Sequence, residues 1–151
     1  MTNYISNISG VLITPIDIIS VPGGNVLHGI KRDDVGYSGF GEAYFSAVDA
    51  GAIKAWKRHR EMTMNLIVPV GSIRFVIYDD RASKSSDKIF QQVILSREKY
   101  FRLTVPPMVW MGFQGLGFEE NMLLNVSNTH HSVDEVDRLM VNDIKFDWGS
   151  K

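Results

Sequence analysis

Cysteine is absent from this 151-residue chain. That absence excludes a disulfide framework, thiolate metal sites and a cysteine nucleophile. Long hydrophobic runs are absent too, since no stretch approaches the roughly 20 apolar residues that span a bilayer as a helix. The opening Met1-Thr2-Asn3-Tyr4 lacks the basic and then apolar start of a secretory signal. Neither sign of charge is in excess. Sixteen Lys and Arg stand against 17 Asp and Glu, a formal net charge of −1. This removes the broad positive field of a general nucleic-acid binder. The expectation is a soluble cytoplasmic protein with neither a nucleic-acid nor a membrane partner. What remains is globular in character: 44% hydrophobic, 22% charged and 11% aromatic residues. The length suits one core, which most often takes about 100 to 150 residues, so a single domain over residues 1–151 is expected.

Short β-type runs recur, separated by turn residues. They are Val11–Ile19, Val26–Ile30, Glu42–Ser46, Ala52–His59, Met64–Val68, Ile73–Tyr78, Phe90–Leu95, Phe101–Val105, Val109–Phe113 and Met122–Val126. Many short strands at close spacing predict an antiparallel sandwich or barrel. Ile73, Phe75 and Ile77 alternate with Arg74, Val76 and Tyr78, which places the first trio on one face. Pro69-Val70-Gly71 reads as a hairpin joint, and Pro106-Pro107 interrupts the chain in the same way. Helix is scarce; one or two turns are expected within Val133–Met140. The polar, serine-rich segment Arg81–Lys88 reads as an exposed loop.

The densest polar cluster is Lys54-Ala55-Trp56-Lys57-Arg58-His59-Arg60. As a strand it sends Lys57 and His59 to one face and Trp56 and Arg58 to the other. One reading is a solvated basic edge strand that blocks edge-to-edge pairing. The other is a pocket wall where cations grip the oxygens of an anionic ligand. None of the four histidines forms a His-x-His pair, and His130 and His131 are adjacent, so no metal site is expected. Asp79 ends a hydrophobic strand where a pocket role is open beside a local turn. Trp110 is either a core aromatic or a face for stacking on a base or sugar ring. No Gly-rich phosphate loop or Gly-x-Ser-x-Gly elbow is present.

Gly51-Ala-Ile-Lys-Ala-Trp-Lys57, Leu66 through Arg81, Val93-Ile-Leu-Ser96, Leu103 through Phe113 and Glu135 through Trp148 together resemble the dTDP-4-dehydrorhamnose 3,5-epimerase family. The resemblance covers roughly Gly24 to Trp148. It implies an all-β, cupin-type jelly-roll barrel of antiparallel strands and a homodimer. It also implies a nucleotide-sugar substrate and no cofactor or metal. The implied function is isomerase chemistry on a dTDP-4-keto-6-deoxyhexose, by proton abstraction next to a ketone, in deoxysugar or cell-surface polysaccharide biosynthesis. Such chemistry needs a base, an acid on the opposite face and a cation to steady the enolate.

Residue by residue, the resemblance shows the usual catalytic set replaced. Lys57 stands where the family has its histidine base, with His59 the second candidate. A lysine base needs a pKa well below about 10.4, which neighbouring cations such as Lys54 can bring about. Asn125 stands at the family's tyrosine acid, and Met64 or Asn65 at its enolate-facing lysine. Lys54 keeps the charge of the family's arginine. Glu42, Tyr44 and Ser46 align with its polar pocket strand, and His28 falls near its early glutamate. Asp79 and Arg81 match it. The family's base-orienting aspartate lies beyond the last residue of this chain. The implied site is therefore Lys57 and His59 for catalysis, with His28, Glu42, Tyr44, Lys54, Asn65, Asp79, Trp110 and Asn125 for binding. Two alternatives stay open: a non-catalytic nucleotide-sugar or carbohydrate-binding cupin, and a barrel closed around Trp56 and Trp110.

Overall fold

The computed structural model describes residues 6–82, 84 and 88–149. Its strands are β1 (Leu12–Pro15), β2 (Ile18–Ile19), β3 (Val26–Leu27), β4 (Glu42–Val48), β5 (Ile53–His59) and β6 (Met64–Val70). β7 (Ser72–Asp79), β8 (Ile89–Ser96), β9 (Phe101–Val105), β10 (Trp110–Gly115), β11 (Asn121–Ser127) and β12 (Val136–Arg138) follow. Two five-stranded sheets face each other, ordered β1-β9-β6-β11-β4 and β12-β5-β10-β7-β8, with every ladder antiparallel. This is the expected all-β jelly roll. The expected run Val11–Ile19 divides into β1 and β2, and the segment Arg81–Lys88 falls partly outside the described residues.

Alternation along the strands decides what faces the barrel interior. Ile73, Phe75 and Ile77 of β7 point inward and pack with Leu66, Leu103, Met111 and Leu123. The opposite side of the second sheet is also covered. There Trp56, Val76 and Trp110 pack beneath Ile144 and Trp148 of the C-terminal segment. The outer face of the first sheet is crossed by residues 29–36. Arg102 of β9 donates to the carbonyls of Gly29 (3.1 Å) and Val35 (2.8 Å) and to Asp34 (3.1 Å). This covering leaves both faces of β6 buried from Met64 to Val68, which explains why it reads as a continuous apolar run rather than an alternating one.

Two expectations are corrected. The Pro69-Val70-Gly71 joint is not a hairpin: β6 and β7 lie in different sheets. Gly71, at φ +75°, turns a corner between them, and a Cβ there would lie 2.4 Å from the Glu120 carbonyl oxygen. Pro106-Pro107 links β9 to β10 across the sheets in the same manner. Of the one or two turns expected within Val133–Met140, one forms, the 3₁₀ turn Val133–Glu135, which passes directly into β12. Pairing of β12 with β5 outweighs the helical tendency of its acidic start.

Candidate active site

A cavity of about 540 Å³ opens inside the barrel. Its apolar lining comes from Met62, Met64, Leu66, Met111, Phe113 and Leu123, and its polar lining from Tyr44, Ser46, Lys54, Lys57, His59 and Arg138. Strand periodicity alone would separate Lys54 from Lys57, because residues three apart point to opposite faces. A bulge removes that separation. β5 pairs with β10 as Lys57↔Met111 and Lys54↔Phe113, so three steps on β5 match two on β10. The extra residue brings both lysines and His59 to one wall.

His59 is buried, and its Nδ1 lies 2.5 Å from Glu135 Oε1. The other carboxylate oxygen accepts the amides of Met62 (3.2 Å) and Glu61 (3.3 Å). Burial pushes the Glu135 carboxyl up, but the His59 hydrogen bond and these amides outweigh it and hold it below the ordinary range. Ionised Glu135 thus accepts the Nδ1 proton and leaves the Nε2 lone pair as the basic position of a ring that lines the cavity. The turn carrying Glu135 is fixed locally: Ser132 Oγ caps it, and the Arg60 amide donates to the Glu135 carbonyl at 2.7 Å.

Arg138 of β12 stands opposite Lys57 in the ladder. Burial lowers the pKa of the Lys57 ammonium, and the charges of Arg138 and Lys54 lower it further. Lys54 Nζ donates to the Ala47 carbonyl at 2.9 Å, reaching from β5 across to β4. On that opposite wall, Asn125 Nδ2 donates to the Tyr44 hydroxyl at 3.0 Å. Among the described residues, no group of three or more His, Asp and Glu is placed to hold a metal ion.

Of the sequence-derived candidates, Tyr44, Lys54, Lys57 and His59 line the cavity, and Asn125 reaches it through Tyr44. The other five do not line it. Asn65 points outward from β6, donating to Gly36 and accepting from Thr104. Trp110 lies on the outer face of its sheet, beneath Arg58 and bonded to Asp80. It therefore does not close the barrel. Asp79 is engaged by Arg81 at the end of β7. Glu42 lies at the start of β4, where its carbonyl accepts from Ser127. His28 lies beyond β3, its backbone bonded to Asp17 and Tyr100.

Glu135 and Arg138 were not singled out in the sequence. A signal existed for them. The basic run Lys57 to Arg60 is complemented by Glu135 and Asp137, and Arg58 and Arg60 both pair with Asp137. Glu135 places a carboxylate against a cavity histidine, His59, from within the chain. His131, expected in a surface turn, is exposed and contributes to the cavity lining.

The chain and its fold are similar to known proteins. No family model matches the chain. A dTDP sugar isomerase from Desulfovibrio desulfuricans G20 superposes with a TM-score of 0.84 at 37% identity, covering 89% of this chain and 86% of that one. A dTDP-4-dehydrorhamnose 3,5-epimerase from Sulfolobus tokodaii superposes with a TM-score of 0.80 at 19% identity, covering 94% and 84%. Among curated proteins, the probable low-salt glycan biosynthesis epimerase Agl13 of Haloferax volcanii is 26% identical over 96 residues, 63% of this chain. That match spans 62% of the relative's length. With its fold and over a third of the aligned residues shared with that solved dTDP sugar isomerase, the chain belongs to the family of dTDP-sugar isomerases.

Proposed function

We propose that the protein is a sugar-nucleotide isomerase that removes a proton next to the ketone of a dTDP-linked 4-keto-6-deoxyhexose, for glycan biosynthesis. The observation that carries this reading is the buried His59–Glu135 pair opening onto a cavity lined by Lys54, Lys57 and Arg138. His59 Nε2 takes the proton, and Glu135 holds the ring and balances the imidazolium. Lys57, displaced from the role of base, lies on the same wall as the cation that steadies the enolate oxygen. Lys57 and Arg138 face each other as like charges, an arrangement that is unfavourable when empty and favourable around an anion. A diphosphate or an enolate supplies that charge. The apolar half of the cavity, rich in methionine, suits a deoxysugar and excludes water.

Incubation with dTDP-4-keto-6-deoxyglucose in deuterated water, followed by proton NMR, tests this. Deuterium uptake next to the ketone above a protein-free blank is expected. His59→Asn is expected to reduce it at least about 100-fold, whereas Lys57→Met raises the barrier without abolishing exchange. Loss with Lys57→Met and survival in His59→Asn would return the base to Lys57. Wild-type protein that shows ligand-induced shifts but no uptake would be a binder on an epimerase scaffold. We further propose a cytoplasmic homodimer. β4 is an edge strand whose Phe45 is 64% exposed, and light scattering at twice the chain mass of 17.0 kDa would establish the dimer.

A further inference from the structure

An epimerisation also needs an acid, and it must stand across the substrate from the base. Asn125, at the position implied for that acid, has no proton to give at useful pH. Its neighbour has one. Tyr44 lies directly across the β4–β11 ladder from Asn125 and contributes the phenol of the cavity lining. Tyr44 belongs to the first sheet and His59 to the second, so the two flank the cavity from opposite walls.

The hydrogen bonding between the pair sets the direction of the proton. Asn125 is 1% exposed, and its Nδ2, not its carbonyl oxygen, meets Tyr44 Oη. The phenol oxygen is therefore the acceptor, and its own O–H stays free for the cavity. Asn125 Oδ1 is buried with no hydrogen-bond partner among the described residues. The amide N–H remains on the oxygen after the proton has left, which keeps the resulting phenolate hydrogen-bonded.

We propose that Tyr44 is the catalytic acid that protonates the enolate on the face opposite His59, with Asn125 as its positioning residue. This rests on the enolising reading given above. His59 Nε2 accepts the carbon-bound proton, and the C–H electron pair passes into the enolate. The enolate carbon then takes the Tyr44 proton from the other side and the ketone re-forms. Afterwards the imidazolium loses its proton to water and the phenolate regains one, so the cycle closes without an oxidant or a co-reactant.

The test follows two signals on dTDP-4-keto-6-deoxyglucose in deuterated water: deuterium uptake next to the ketone, and inversion at the same carbon. Wild-type protein is expected to show both. In Tyr44→Phe, His59 still removes the proton and returns a deuteron from its own side. Uptake is then expected to persist within about threefold while inversion falls at least about 100-fold. Asn125→Leu, which keeps the phenol but not its anchor, is expected to lower the ratio of inversion to uptake about tenfold. A merely structural loss would reduce both signals together. Equal loss of both signals in the two variants, or an unchanged ratio, overturns the proposal. If Tyr44→Phe does not fold, the Asn125→Leu ratio decides alone. Uptake without inversion in the wild type overturns Tyr44 as acid while the enolising reading stands; neither signal in the wild type removes both.

Discussion

Glu135 shows how one carboxylate couples folding to chemistry. It is buried, and both of its oxygens are taken, one by His59 and one by two backbone amides. Glu135→Gln keeps the shape but removes the charge that fixes the His59 tautomer. We expect deuterium exchange to fall about 100-fold or more with KM nearly unchanged, since the interaction matters most when the imidazolium forms. The same residue gives a pH signature. Its folded-state pKa is depressed, so its contribution to stability is present above the unfolded value of about 4.3. That contribution is lost as pH falls through the lower folded value. The difference in Tm between wild type and Glu135→Gln should therefore be full at pH 7 and shrink steadily below about pH 4, as differential scanning fluorimetry would read. Asp137 behaves in the same sense. Hydrogen bonds from Arg60 and then Arg58 hold its pKa down to about 2, so the outer ion pairs persist to lower pH than an isolated carboxylate would allow.

Among the elements, β5 carries the most consequence, because its bulge converts a seven-residue strand into the cationic wall. The bulge requires a residue without a side chain opposite it. A Cβ on Gly112 would stand 2.6 Å from the Ala55 Cβ and about 3.1 Å from the Trp148 ring. Gly112→Ala is expected to cost about 1–3 kcal/mol through overpacking and to lower Tm by several degrees. Because it displaces Ala55 between the two lysines, it should also reduce exchange per folded molecule. Unchanged exchange would mean that the lysines hold their positions without the bulge. The basic character of β5 was plain in the sequence, as was the pairing of Lys57 and His59 on one face. That Lys54 joins them followed from the family resemblance and not from the strand pattern, because an unpaired register step leaves no mark in a strand's own alternation. β12 was hidden for a related reason: three residues are too short a window for a period of two to compete with the acidic start of a helical turn.

At the scale of the whole molecule, the site depends on two sheets held at a fixed separation and covered on their outer faces. The segment over residues 29–36 is pinned by Arg102, which is 0% exposed and reaches two carbonyls and Asp34. Arg102→Met fits the volume but strands those acceptors. We expect a loss of about 3 kcal/mol in urea unfolding, with exchange per folded molecule retained because the residue lies outside the barrel. A parallel loss of exchange would mean that the covering segment shapes the cavity as well.

The sequence by itself determined the class of fold and the materials of the site. Short alternating apolar runs between Gly and Pro bury one face only when laid as antiparallel sheets, and the basic strand read either as a solvated edge or as a pocket wall for an anion. Strand composition is a local property, and local patterns reveal it. Only the tertiary structure decided which candidates meet. It turned Asn65 and Trp110 outward. It brought Glu135 to His59 across 76 residues of chain and set Tyr44 on the wall facing them. Those outcomes depend on register, on a bulge and on which sheet a strand joins. Each is fixed by contacts between residues distant in the chain, and the residues themselves carry no periodic trace of them.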